Sequence, residues 1–187
     1  MARGLHVVAG DAKGARLVAP RGARPTTGRV REALFSALGN VTGSVVLELY
    51  AGSGALAVEA LSRGAARAVL VDCDRAAVAA CTANLEATRA TDRATVLAST
   101  VSAVLARRPP RGAPFDLVVA DPPYDIAVDE VQDVLAGLRA PGWLAPEARV
   151  VVERPARAAA LALPDEWRVA WQRKYGDTLV VVLHEQG

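Results

Sequence analysis

The residues best suited to catalysis in this sequence are the four that read Asp121-Pro122-Pro123-Tyr124, directly after an apolar run. Consecutive prolines remove two N–H donors and fix two φ angles, and Pro122 favours an extended conformation at Asp121. The turn therefore presents acceptors, the Asp121 carboxylate and the Pro122 carbonyl, with the flat ring of Tyr124 beside them. Such a turn suits a planar base with an exocyclic amine, because the amine offers two N–H groups and the base can stack on Tyr124.

The reaction that this turn favours is attack by the amine on a methyl group. An exocyclic amine is a poor nucleophile because its lone pair is delocalised into the ring. Two acceptors that hold its protons favour a pyramidal nitrogen, so that an adjacent methyl-sulfonium group can be attacked in line. Asp121 can take the released proton, although a strong base is not needed. The alternative is that the two prolines only terminate a strand.

A glycine-rich turn, Gly52-Ser53-Gly54, lies between the apolar run Val45–Leu49 and a helical pattern over Ala55–Arg63. Glycine lets a ligand approach the bare backbone, and the turn aims the N-terminus of the helix at that ligand. With Ala57, the turn fits the loose Gly-x-Gly-x-x-Ala pattern of dinucleotide-binding folds. The stretch therefore predicts a binding loop of the nucleotide type.

Acidic residues accompany this loop and the catalytic turn at the ends of predicted strands. Glu48 lies four residues before the first glycine, and Asp72 lies 18 residues after the second. Ligands bind at the carboxyl ends of the strands in open α/β sheets, where Glu48, Asp72 and Asp121 would meet. We expect Asp72 to accept ribose hydroxyls, unless it caps the next helix, a role for which Asp74 competes. Glu48 either accepts backbone N–H groups of the loop, contacts a cofactor ammonium group, or is purely structural.

An alternation of strands and helices positions these residues. The strands are predicted at Val45–Leu49, Arg67–Asp72, Ala94–Ala98, Phe115–Asp121 and Arg149–Glu153, and the helices at Ala55–Arg63, Arg75–Thr88, Val101–Arg107 and Asp129–Leu138. Continuous apolar strands in this order predict a parallel sheet covered by helices on both faces. The runs Trp167–Arg173 and Thr178–His184 flank a polar turn and predict an antiparallel hairpin that closes the sheet.

The N-terminal segment is basic. Residues 1–31 carry one acid, Asp11, and seven basic residues, Arg3, Lys13, Arg16, Arg21, Arg24, Arg29 and Arg31. The runs Leu5–Ala9 and Ala15–Ala19 predict a hairpin, and Thr26 or Thr27 caps a helix that ends at Gly39. We interpret the seven residues as an RNA-binding surface, with an ordinary solvated face as the alternative.

Composition sets broader limits. A chain of 187 residues with 52% hydrophobic and 22% charged residues is expected to form a globular core. Cys73 and Cys81 form no disulfide framework, and no run approaches the roughly 18 apolar residues of a membrane span, so a cytoplasmic location is expected. His6 and His184 have no metal-ligand spacing, and no metal is predicted.

In its motifs the sequence resembles the class I S-adenosylmethionine-dependent methyltransferases, and among these the amino-methylating enzymes with an (Asp/Asn/Ser)-Pro-Pro-aromatic motif. It is further similar to the bacterial RsmD family, the guanine-N2 methyltransferases of small-subunit (16S) ribosomal RNA. The stretches that carry the similarity are Gly10–Gly14, Arg24–Thr26, Val30–Glu32, Leu47–Gly64, Phe115–Tyr124 and Lys174–Gly176.

The resemblance implies a Rossmann-like, seven-stranded sheet. We expect a methyltransferase domain over residues 41–187, preceded by a basic hairpin and helix over residues 1–40. The resemblance also implies that Asp121 and Pro122 hold the guanine N2 amine while Tyr124 stacks on the base. The family usually has Asp or Asn facing the cofactor adenine, a place that Thr100 occupies here. The residues predicted to contact S-adenosylmethionine are Glu48, Tyr50, Ala51, Gly52, Ser53, Gly54, Asp72, Cys73, Thr100 and Asp121. The expected partner is ribosomal RNA or an assembling 30S particle, bound by a monomer.

Other functions share parts of this pattern. A DNA adenine-N6 or protein-amide methyltransferase would use the same turn, and the N-terminal similarity alone favours ribosomal RNA. An NAD(P)-dependent oxidoreductase shares the glycine loop but does not explain Asp121 and its prolines. A catalytically silent RNA-binding protein would need the basic segment but not the turn beside an intact cofactor loop.

Overall fold

The computed structural model describes residues 4–22, 26–123, 128–157 and 163–185. Its centre is a seven-stranded sheet with the order β3-β2-β1-β4-β5-β7-β6. The strands are β1 (Val45–Leu49), β2 (Arg67–Asp72), β3 (Ala94–Ala98), β4 (Phe115–Ala120), β5 (Leu144–Pro155), β6 (Trp167–Tyr175) and β7 (Thr178–Glu185).

Strands β1 to β5 pair in parallel, whereas β7 is antiparallel to both β5 and β6. The predicted α/β architecture, with a mostly parallel seven-stranded sheet and an antiparallel C-terminal hairpin, is therefore confirmed. Long crossovers are needed between parallel strands, and here they contain the helices. The carboxyl ends of β1, β2 and β4 consequently meet at one edge of the sheet, where a ligand is expected.

Five helices cover the two faces of the sheet. They are α1 (Gly28–Leu38), α2 (Ala55–Ser62), α3 (Arg75–Ala87), α4 (Val101–Leu105) and α5 (Val128–Leu138). Helices α1, α2 and α3 bury apolar side chains against one face, and α4 and α5 against the other. Thr27, one of two predicted caps, accepts a hydrogen bond from Val30 N–H, and the predicted stop at Gly39 is also confirmed.

Strand β5 is longer than predicted, since it begins at Leu144 and not at Arg149. Its first part is irregular, because Glu147 has a φ of 61° and the register with β4 shifts between Phe115 and Leu117. Hydrophobic periodicity does not reveal such an interrupted strand, because the pairing with β4 decides it. After the shift, Ala120 pairs with Val152, so the residues that follow, Asp121 and Glu153, lie side by side. The chain leaves the sheet at Asp121, whereas Glu153 stays in β5 and pairs with Val180 of β7.

The N-terminal hairpin is shorter than predicted. Its two runs form one antiparallel bridge, His6 with Arg16, and no named strands among the described residues. The reason is that Val8 N–H and Ala9 N–H donate to the Glu59 carboxylate on α2 and not to the facing run. The segment shares the core of α1 to α3, and the proposed division at residue 40 stays a prediction.

Candidate active site

The predicted catalytic turn follows β4 at the carboxyl edge of the sheet. The Asp121 side chain is half-buried, Pro122 is buried and Pro123 is exposed, while Tyr124 lies outside the described residues. Burial raises the pKa of Asp121 above its usual range, and a hydrogen bond from the Thr26 hydroxyl acts in the opposite direction. Asp121 is thus a carboxylate in a partly dry site, close to the start of α1.

A second carboxylate, Glu153, lies beside Asp121 two residues before the end of β5, and it was not among the residues predicted from the sequence. Glu153 is 3% exposed, and the Thr26 hydroxyl lies 3.2 Å from each of its carboxylate oxygens. Burial raises the pKa of Glu153, and the neighbouring charge of Asp121 raises it further. The available signal was its position, an acid at the end of a parallel strand, which is the rule that selected Glu48, Asp72 and Asp121.

These two carboxylates open into one cavity of about 370 Å³. The start of α1 contributes Thr26 and Arg29 to the lining, and the turn between β6 and β7 contributes Tyr175 and Thr178. The cavity is therefore bounded by the N-terminal segment on one side and the C-terminal hairpin on the other. It has room for a base next to the Asp121 carboxylate.

The glycine loop lies at the same edge of the sheet, after β1. The Gly52 N–H donates to Asp72 Oδ2 at 2.8 Å, which ties the loop to the end of β2. Gly54 has a φ of 68°, and an added Cβ would lie 2.6 Å from Leu70 Cδ2 and 3.1 Å from Cys81 Sγ. Position 54 therefore requires glycine both for its backbone conformation and for space.

The two acids beside the loop differ in what they bind. Asp72 accepts from Gly52 N–H and, at 2.9 Å, from Asp74 N–H, and Asp74 is the residue that caps α3. Glu48 is 4% exposed and accepts from Leu56 N–H and from Ala57 N–H. Burial raises the pKa of Glu48 to about 8, against these two hydrogen bonds. Of the roles left open for Glu48, the structure contains the backbone contact, made to the first turn of α2.

Comparison with known proteins agrees with this geometry. The family model described as "Conserved hypothetical protein 95" matches residues 5–184. The chain is 36% identical over 175 residues to ribosomal RNA small subunit methyltransferase D of Escherichia coli, covering 92% of this chain and 85% of that protein. The Haemophilus influenzae protein of the same name is 29% identical over 92% of this chain and 89% of its own length. The solved structure of Escherichia coli yhhF has 30% sequence identity, a TM-score of 0.84 and 98% coverage of both chains.

The chain belongs to the RsmD family. The resemblance given by the motifs is confirmed, and the protein is a methyltransferase of class I, whose members use S-adenosylmethionine.

The loop residues fit this cofactor of the RsmD family. An added Cβ at Gly52 would meet Tyr50 O at 4.0 Å, so the backbone face of the loop is open to a ligand. Each carboxylate oxygen of Asp72 accepts one hydrogen bond from the backbone and keeps a lone pair for a hydroxyl of a ribose diol. The loop and the end of β2 thus offer the acceptors and the open backbone that an adenosine moiety needs.

The other residues predicted to contact the cofactor surround this loop. Tyr50 has a φ of 56°, and burial raises its pKa to about 12. Ser53 is buried, and its carbonyl accepts from the Asn84 side chain at 2.7 Å. Cys73 is exposed, and Thr100 caps α4 by accepting from Ala103 N–H. Contact of these residues with the cofactor stays a prediction.

The predicted RNA-binding residues divide into two groups. Lys13, Arg16, Arg21 and Arg29 are exposed. Arg31 is fully buried and bound to Glu59, so its assignment to RNA is wrong and its role is structural. The sequence could not separate Arg31 from its neighbours, because burial on α1 depends on the distant Glu59. Arg3 and Arg24 lie outside the described residues.

No described helix is long and apolar enough to cross a membrane. No group of three or more His, Cys, Asp or Glu side chains in the described ranges is arranged to hold a metal ion.

Proposed function

We propose that this protein transfers a methyl group from S-adenosylmethionine to the exocyclic N2 of a guanine in small-subunit (16S) ribosomal RNA. The observation that carries the proposal is Asp121, the first residue of the catalytic turn, which lines a cavity of about 370 Å³ at the sheet edge that also carries the cofactor loop. The choice of ribosomal RNA is supported by the name shared by the relatives from Escherichia coli and Haemophilus influenzae, ribosomal RNA small subunit methyltransferase D.

In this mechanism the residues of the turn hold and orient the amine. The Asp121 carboxylate and the Pro122 carbonyl each accept one N2 proton, which directs the nitrogen lone pair away from the turn. When bound, S-adenosylmethionine supplies a methyl group on a positively charged sulfur. The nitrogen lone pair forms the new N–C bond, the C–S electron pair remains on sulfur, and one N2 proton passes to Asp121 or to water. Tyr124 stacks on the base.

The basic surface holds the RNA around this cavity. Arg29 is exposed and lines the cavity itself, and Arg16 is exposed on the N-terminal segment. Arginine binds phosphates without regard to sequence, so these residues position the RNA while the cavity selects the base. We further propose that the protein acts as a monomer on RNA within an assembling 30S particle.

The test is transfer of tritiated methyl groups to small ribosomal subunits from a strain that lacks this protein, followed by nucleoside analysis and mapping. We expect labelled N2-methylguanosine in the small-subunit RNA. Label found as N6-methyladenine in added DNA, and not in the RNA, would overturn the substrate. No labelled product from any acceptor, despite cofactor binding, would overturn the reaction.

The matched variants for this test are Asp121→Ala and Asp133→Ala. Asp121→Ala should lower kcat by about 1,000-fold or more, as loss of a group that positions and accepts a proton does. Its affinity for S-adenosylhomocysteine should stay within several-fold of that of the wild type. Asp133 is exposed on α5, and its replacement should leave both quantities unchanged. Loss of cofactor binding in Asp121→Ala would make Asp121 a cofactor-binding residue and not a catalytic one.

A further inference from the structure

Glu153 is a buried carboxylate with one hydrogen-bond donor among the described residues. Its described hydrogen-bond partner is one hydroxyl, that of Thr26, and no described arginine or lysine forms an ion pair with it. A buried ionised carboxylate is costly unless several donors surround it. It also lines the cavity of the catalytic turn, so a ligand can supply the missing donors there.

The sheet fixes where Glu153 lies relative to the reacting amine. The register of β4 with β5 pairs Ala120 with Val152, which places Asp121 and Glu153 next to each other at the carboxyl edge. The Thr26 hydroxyl lies 3.2 Å from both carboxylate oxygens of Glu153, and it also acts to lower the pKa of Asp121. A group held by Asp121 therefore has its neighbouring atoms within reach of Glu153.

A donor without a described partner lies in the same cavity. The Tyr175 hydroxyl is buried and has no hydrogen-bond partner among the described residues, and Tyr175 lines the cavity together with Glu153. Strand β6 places Tyr175 on the face of the sheet that α1 covers, because Arg173 pairs with Val180 of that core. The cavity thus combines an acceptor that has free lone pairs, the Glu153 carboxylate, with a donor that has no described acceptor, the Tyr175 hydroxyl.

This combination is complementary to the Watson–Crick edge of guanine. That edge presents the N2 amine, then N1–H as a donor, then O6 as an acceptor. We infer that Glu153 accepts the N1–H of the target guanine and that the Tyr175 hydroxyl donates to its O6, while Asp121 holds N2. Glu153 and Tyr175 are then the residues that select the base, a conclusion that rests on the proposed guanine-N2 activity.

The same arrangement explains why other bases are rejected. The N1 of adenine and of 2-aminopurine is an acceptor, so either base would leave the Glu153 carboxylate buried opposite a lone pair. A site built around a hydrogen bond discriminates strongly against analogues that lack the matching group. Because Thr26 approaches both carboxylate oxygens of Glu153, we assign it as a positioning residue for this contact.

The experiment uses small subunits reconstituted with RNA that carries guanine or 2-aminopurine at the mapped nucleotide. 2-Aminopurine keeps the reactive N2 amine but lacks N1–H and O6. The wild type should prefer guanine by about 10- to 100-fold in kcat/KM, as expected for hydrogen bonds to a charged group. In Glu153→Gln this preference should fall by about tenfold, because an amide N–H can donate to N1 of 2-aminopurine.

Two further variants complete the test. Tyr175→Phe should reduce the preference for guanine several-fold by removing the donor to O6. Glu147→Gln, on an exposed residue of the same strand, should leave the preference unchanged. If Glu153→Gln and Tyr175→Phe slow both bases by equal factors, the two residues are structural and the inference is wrong. The inference is also overturned if the wild type methylates guanine but does not prefer it over 2-aminopurine. Absence of N2-methylguanosine in the tritium-transfer test would instead overturn the proposed function itself.

Discussion

Two buried glutamates on the same face of the sheet have opposite surroundings. Glu59 on α2 is fully buried, and its carboxylate accepts four hydrogen bonds, two on each oxygen. The donors are Val8 N–H, Ala9 N–H, Arg31 and Arg63. The Arg31 guanidinium also donates to the carbonyl of His6 at 2.8 Å, so the network fastens the N-terminal segment to α1 and α2.

Glu153 is almost as buried but lies beside a second carboxylate, and its described partner is a single hydroxyl. A buried charge whose lone pairs are all used holds the protein together, whereas one with unused lone pairs has capacity for a ligand. The first case costs little to maintain because desolvation is offset by hydrogen bonds and ion pairs. In the second case the unfavourable burial is retained at a site where a substrate can relieve it.

The largest effect is expected from removing the charge of the well-bonded glutamate. Glu59→Gln should lower the free energy of unfolding by about 3–5 kcal/mol, because Arg31 is left buried without its counter-charge. Urea denaturation measures this change. Glu86→Gln, on an exposed residue of α3, is the control and should leave stability within about 0.5 kcal/mol. Equal effects of the two substitutions would show that the Glu59 network does not stabilise the fold.

Glu153→Gln should instead raise the free energy of unfolding. The reason is that burial and the charge of Asp121 raise the pKa of Glu153 in the folded protein. A carboxyl with a raised folded pKa ionises first in the unfolded chain, so the wild type loses stability as pH rises above about 4.3. The glutamine variant does not lose this contribution. It should therefore be more stable than the wild type at pH 8 by about 1–3 kcal/mol.

Urea denaturation at pH 5 and at pH 8 tests this expectation, since the difference between the variant and the wild type should grow with pH. A variant that is less stable than the wild type at pH 8 would place Glu153 with Glu59, as a carboxylate that stabilises the fold. The comparison between the two glutamates would then fail.

The sequence was a good guide wherever a signal was local. Strands β1, β2 and β3 have the predicted bounds, because each is an apolar run that ends at a glycine turn, an acid or a polar pair. Thr27 and Gly39 were identified as helix signals because a cap acts within one turn. Asp121 could be predicted because its motif is contiguous.

The features that were missed depend on contacts between distant segments. Glu153 joins the site through the pairing of β5 with β4 and through Thr26, which lies 127 residues away along the chain. The structural role of Arg31 depends on Glu59, 28 residues away. The predicted hairpin strands were reduced to one bridge because a side chain of α2 takes the N–H groups of Val8 and Ala9. These contacts between distant segments have no local sequence signal, although the position of Glu153 near a strand end was a signal for the residue itself.

The smallest expected effect extends the comparison from the glutamates to the arginines that accompany them. Arg29 and Arg31 lie two residues apart, but Arg29 is exposed at the cavity whereas Arg31 is buried in an ion pair with Glu59. Arg29→Glu should weaken RNA binding several-fold. The plot of the logarithm of the binding constant against the logarithm of the salt concentration should also become less steep, by about the amount that one phosphate contact contributes. Arg67→Glu, with the same charge change at the amino end of β2, should leave that slope unchanged, which filter binding at several salt concentrations can measure. If the two variants bind RNA equally, the exposed arginines of the N-terminal segment form only a solvated face. Of Arg29 and Arg31, only Arg31 would then have a role, the structural one of binding Glu59.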